Sequence, residues 1–164
     1  MNLYIYLFTA LFSLSPILEL RGAIPYAIYN GMNPVFAYFF CVFFNALLGP
    51  IIFFFLSSIH KPLYGMEWYK NLFDRIIINA RKKLEKKIEK NGYLGIMLFV
   101  AIPLPVTGAV TGTFGAWALG MSRKKTCLAV WGGVCISGII VTLLTLAAKY
   151  YTAGWISFFI RMPH

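Results

Sequence analysis

Between Met1 and His60 the chain carries only two charges, Glu19 and Arg21. They lie in the run Ser15-Pro16-Ile17-Leu18-Glu19-Leu20-Arg21-Gly22-Ala23-Ile24-Pro25, and almost unbroken apolar sequence flanks it on both sides. With 60% hydrophobic residues, 12% charged residues and a mean hydropathy of +0.74, the chain has too little polar surface for a water-soluble globule. The expectation is an all-α integral membrane protein. In that setting an ionisable side chain costs roughly 2.5 to 3.5 kcal/mol at a helix centre on insertion scales and marks a functional site by default. No basic residue precedes the first apolar stretch and no small-residue cleavage site follows it, so it reads as a mature membrane segment.

The net charge of +10 is not spread along the chain: 12 of the 15 Lys and Arg residues fall between Lys61 and Lys125. A basic block inside a hydrophobic chain is the positive-inside pattern, which sets orientation and attracts anionic lipid, and it argues against a nucleic-acid partner. Cys41, Cys127 and Cys135 have no CxxC spacing, and His60 and His164 stand apart from other ligand types. Neither a metal nor a cofactor is expected, and with no clustering of Ser, His and Asp the chain does not read as an enzyme.

Four apolar stretches stand out: Leu3 to Leu14, Pro34 to Ser58, Gly92 to Gly120 and Thr126 to Ala148. If the third spanned the bilayer, Arg123-Lys124-Lys125 would lie across the membrane from Arg81-Lys82-Lys83 and Lys86-Lys87. Both clusters can share the cytoplasmic side only if residues 92–120 enter and return. Pro103, Pro105, Gly108 and Gly112 break that stretch in its middle. About ten residues on either side make half-helices of about 15 Å, reaching the midplane of a hydrocarbon core of about 30 Å.

Sliding the N-terminal part by 89 positions lays Tyr4 on Tyr93, Pro16 on Pro105, Gly31-Met32 on Gly120-Met121 and Gly49 on Gly138. The spacing predicts two inverted repeats. Residues 1–58 comprise a re-entrant hairpin (3–31) and a transmembrane helix (34–58), and residues 92–148 repeat this with a hairpin (92–120) and a helix (126–148). The linker 59–91 is expected in the cytoplasm and both termini outside, with 149–164 a tail. The first span should kink at Gly49-Pro50, and Gly132, Gly133, Ser137 and Gly138 give the second a close-packing face. From Asp74 to Lys90, Ile77, Ala80, Leu84 and Ile88 form one stripe of an amphipathic surface helix. That helix either docks on anionic headgroups or serves as a solvated orientation signal. Membrane lipid is the expected partner, together with a homodimer, because two hairpins and two spans enclose little volume.

Glu19-Leu20-Arg21-Gly22-Ala23-Ile24-Pro25 and Pro103-Leu104-Pro105-Val106-Thr107-Gly108-Ala109-Val110-Thr111-Gly112 resemble the paired signatures of the small multidrug export family, a relative of the DedA membrane proteins. The resemblance implies two facing re-entrant hairpins in a transporter. It leaves the substrate open between drugs and lipid-linked carriers such as undecaprenyl phosphate.

If the hairpin tips meet near the midplane, Glu19 and Arg21 face the turn that carries Thr107, Gly108 and Thr111. Glu19 is then a candidate carrier of a coupling proton, since burial and a neighbouring arginine act on it in opposite senses. Arg21 offers a planar fork for an anionic group such as phosphate, and Asn45 is a candidate polar partner. Against this stands a structural role: the two charges neutralise each other or cap broken backbone, the threonines satisfy freed backbone groups, and Asn45 makes an interhelical hydrogen bond. Pro16, Pro25, Pro103 and Pro105 are read as the hairpin breaks. The functional reading is a membrane transporter, proton-coupled, for a small or lipid-linked substrate. Its rivals are a drug/proton antiporter and a non-transporting factor that organises lipid or assists membrane proteins.

Overall fold

Proline and glycine set the element boundaries. In a computed structural model that describes residues 3–58, 65–67, 70–71, 74–75, 78, 92–104 and 107–160, all regular structure among the described residues is helical. The main helices are α1 (Leu3–Leu14), α2 (Glu19–Tyr29), α3 (Pro34–Ala46), α4 (Leu48–Ser58), α5 (Gly92–Ala101), α6 (Ala109–Ala118) and α7 (Arg123–Ile160). The turn at Pro16 separates α1 from α2, and the irregular segment that begins at Ile102-Pro103 separates α5 from α6. Pro105 lies outside the described residues. So do Ile77, Ala80, Leu84 and Ile88, on which the expected amphipathic helix rests.

Helix starts and ends coincide under the 89-residue shift: Leu3 with Gly92 for α1 and α5, Tyr29 with Ala118 at the ends of α2 and α6, and Pro34 with Arg123 for α3 and α7. The chain reversals after α2 and α6 are built from the same bonds. Asn30 N–H donates to Tyr26 O, Gly31 to Ile28 O and Met32 to Ala27 O; Leu119, Gly120 and Met121 donate to Gly115, Trp117 and Ala116 in the same pattern. Both are glycine-centred helix caps. Gly31 at φ +86° and Gly120 at φ +70° supply the left-handed residue that each requires.

The first span, expected to kink at Gly49-Pro50, is interrupted at Leu47, about one turn before the proline. Pro50 has no N–H to give to the carbonyl of Ala46, so α3 stops at Ala46 and α4 starts at Leu48. The freed carbonyl accepts instead from the Trp131 indole Nε1–H of α7, at 2.9 Å. Beyond Ala148 no proline intervenes, and α7 continues to Ile160 rather than giving way to a tail. Pro25, expected at a break, sits inside α2, which runs through it to Tyr29. Its effect there is local, depriving the Arg21 carbonyl of its helical donor.

Helix α7 is the central element, packed against α5, α2, α3 and α6, while α1 lies on α2 and α3. Close approach depends on missing side chains: a Cβ on Gly133 would lie 2.6 Å from Val100 Cβ and 2.7 Å from Met97 O, and one on Gly138 would lie 2.7 Å from Val42 Cγ2. The interior holds Thr9, Ser13, Glu19, Asn45, Thr113, Thr126, Ser137 and Thr145, all buried, whereas Leu7, Leu11, Phe39, Phe43, Ile139, Leu143 and Leu144 are exposed. Apolar residues outside and polar ones inside suit a lipid solvent. Two helices, Pro34–Ser58 and Arg123–Tyr151, are long and apolar enough to cross a bilayer.

Candidate functional site

The first residue of α6 has only Gly108 before it, and glycine offers no side chain to cap a helix start. The cap comes from the other half of the chain. Glu19, 8% exposed, accepts the backbone N–H of Ala109 on Oε2 and of Val110 on Oε1, both at 3.3 Å. A carboxylate is well matched to a helix N-terminus, where orphan N–H groups and the helix dipole favour negative charge. Glu19 holds this position from φ +46°, a left-handed conformation that costs a non-glycine residue about 1–3 kcal/mol and that concentrates at functional sites. Gly108 is required beside it, because a Cβ there would lie 2.0 Å from Glu19 Oε2.

Two residues further along α2, Arg21 grips the same break. Its Nη2 donates to the Thr107 carbonyl and to the Thr107 hydroxyl, the latter at 3.2 Å. That hydroxyl also lies 2.7 Å from Ile102 O and 2.8 Å from Leu104 O, and accepts Leu104 N–H at 3.1 Å, so Thr107 ties together the irregular segment Arg21 holds. No ion pair joins Glu19 to Arg21 among the described residues; each turns to backbone on the opposite tip. Nε and Nη1 of Arg21 meet no acceptor among the described residues. Arg21 also lines an open cavity of about 340 Å³ walled by Pro25, Tyr29, Pro103, Val141, Leu144, Thr145 and Ala148. The cavity is an apolar groove between α2 and α7 with a guanidinium on its wall.

A family model for small multi-drug export proteins matches residues 19–140, starting at Glu19 and ending within α7. The chain belongs to the small multi-drug export protein family. No curated protein and no solved structure matches it. Family membership together with two span-length apolar helices places this small multi-drug export protein in a membrane, and the family's description fits a membrane transporter.

The other expected site residues of this export-family protein divide between the tip and elsewhere. Thr107 and Gly108 are at the contact. Thr111 is one turn into α6, its hydroxyl reaching back to Gly108 O at 3.4 Å. Asn45 is 1% exposed and donates from Nδ2 to Ser13 O at the end of α1, at 2.8 Å, and its Oδ1 has no partner among the described residues. It joins α3 to α1 and makes no recorded hydrogen bond to Glu19, Arg21 or Thr107. The broken backbone that the sequence led one to expect Glu19 or Arg21 to cap is the start of α6, at the Ala109 and Val110 amides; what the sequence did not point to is the groove wall from Val141 to Ala148. Its only signal was small and polar residues recurring on an apolar helix.

Proposed function

We propose that the protein is a proton-coupled transporter whose site lies where α2 meets the start of α6, at the tips of two re-entrant hairpins in inverted repeats. The observation that carries this reading is the Glu19 carboxylate, buried and seated on the Ala109 and Val110 amides, while Arg21 beside it both holds Thr107 and lines a groove. A protonated Glu19 loses the charge that a helix N-terminus favours, so uptake of a proton loosens the contact between the tips. An anionic group arriving at Arg21 acts on the same junction from the other side. The apolar wall of the groove favours a small or lipid-linked, phosphate-bearing substrate, in keeping with kinship to the DedA proteins. The coincident helix boundaries and caps support the repeat, and the basic residues support a cytoplasmic linker 59–91 with both termini outside.

The test is Glu19→Gln in proteoliposomes with an imposed pH gradient. Coupled flux of an amphiphilic phosphate should disappear while the protein stays folded by circular dichroism and elutes as the wild type does. Undiminished flux in folded protein removes Glu19 as the coupling residue. It would then favour a second reading, in which Glu19 and Arg21 only clamp the fold of a non-transporting membrane factor. A specific observation favours that alternative: every hydrogen bond recorded for the two side chains goes to residues 107–110 of the opposite tip, as a clamp requires.

A further inference from the structure

A second cavity, of about 450 Å³, lies far along α7 from the groove, at the opposite end of the span, and is lined by Arg123, Lys124, Cys127, Leu128 and Trp131. These positions fall at i, i+1, i+4, i+5 and i+8, one face of the first turns of α7. The face is graded: two cations at its start, then Leu128 at 55% exposure and Trp131 at 43%. Among the described residues no carboxylate pairs with Arg123 or Lys124. The indole is held in place by its bond to Ala46 O, so one wall is fixed by the fold. Charge first and apolar wall second, along a helix at a membrane boundary, is the order of groups in a phospholipid.

We propose that this apolar cavity seats the start of an acyl chain of one anionic phospholipid, over Leu128, Trp131 and the stems of Arg123 and Lys124, and that the charged heads of those two residues, beyond the apolar lining, meet its phosphate. The amphiphile groove at Arg21 plays no part, so the proposal stands apart from the transport reading. Arg carries a fork suited to a phosphate and Lys adds a point charge, while the stems of both extend the apolar wall. The same residues also belong to the basic cluster that orients the chain, and orientation alone needs no cavity.

Purified protein in detergent separates the two roles, because orientation has no meaning there. Native mass spectrometry during titration with phosphatidylglycerol should record one retained lipid, and phosphatidylcholine should be retained far less. The double substitution Arg123→Gln with Lys124→Gln should weaken phosphatidylglycerol binding about thirty-fold, the combined effect of two basic side chains at a membrane surface. Lys125→Gln removes the same charge one residue away and outside the cavity lining, and should weaken binding by no more than about five-fold, the contribution of one basic side chain near the surface. Leu128→Ser should weaken retention of long-chain lipid more than that of a short-chain analogue. Equal retention of the two headgroups, an unaffected double variant, or an equal loss in Lys125→Gln overturns the proposal.

Discussion

The Gly108→Ala substitution adds one methyl group at the most constrained point of the tip contact. Gly108 has φ 164° and ψ −170°, extended backbone open to any residue, so the change carries no backbone penalty of its own. Its whole effect falls on Glu19, because the new Cβ would stand 2.0 Å from Oε2 and 2.6 Å from Cδ. Ordinary contact, at 3.4 Å or more, requires the carboxylate to withdraw by about 1.4 Å, and from 3.3 Å that removes both amide bonds to α6. Hydrogen bonds to a charged group contribute about 1.5–3 kcal/mol each, and these are long ones, so the loss should be about 2–3 kcal/mol in total. Reversible unfolding in mixed micelles measures it. The decisive comparison is the same substitution in a Glu19→Ala background, where the methyl enters vacated space and should change stability by less than about 0.5 kcal/mol. An equal cost in both backgrounds would refute the contact between Gly108 and the Glu19 carboxylate.

Arg21→Lys keeps the charge but gives up the fork, so phosphate-dependent transport should fall about tenfold or more while unfolding shifts by no more than about 1 kcal/mol; equal transport rates would remove phosphate recognition from Arg21. Gly133→Ala drives a Cβ into Val100 and the Met97 carbonyl and should destabilise by about 1–3 kcal/mol, whereas Gly132→Ala meets only the flexible Met97 side chain, at 2.8 Å, and should cost far less in the same unfolding assay. Asn45→Ala should cost about 1 kcal/mol through loss of the bond to Ser13 O without altering coupled flux, and a flux defect in folded protein would bring Asn45 into the transport path.

Sequence reading reached the tip contact because charge is rare in this chain. Glu19 and Arg21 are the only charges of the first sixty residues, and prolines mark the segments that surround them on both sides. The helix boundaries that coincide under the 89-residue shift were legible because glycine is needed for the left-handed residue of each cap, and Gly31 and Gly120 keep their spacing. Other features were hidden for physical reasons. A proline acts on the carbonyl four residues earlier, which moved the expected bend from Gly49-Pro50 to Leu47. Pro25 reads as a break, yet α2 passes through it. The groove joins residues more than a hundred positions apart, Arg21 with Val141, Leu144, Thr145 and Ala148, and no local pattern marks it.

The bond from Trp131 to the Ala46 carbonyl works like a tie rod between two beams. The bend where α3 meets α4 is a point of weakness in the first span, and the indole that fills it belongs to the second. If α7 slides or rotates there, the Ala46 carbonyl loses the donor that stands in for the N–H that Pro50 lacks. The break in one span and the placement of the other are therefore coupled through a single hydrogen bond.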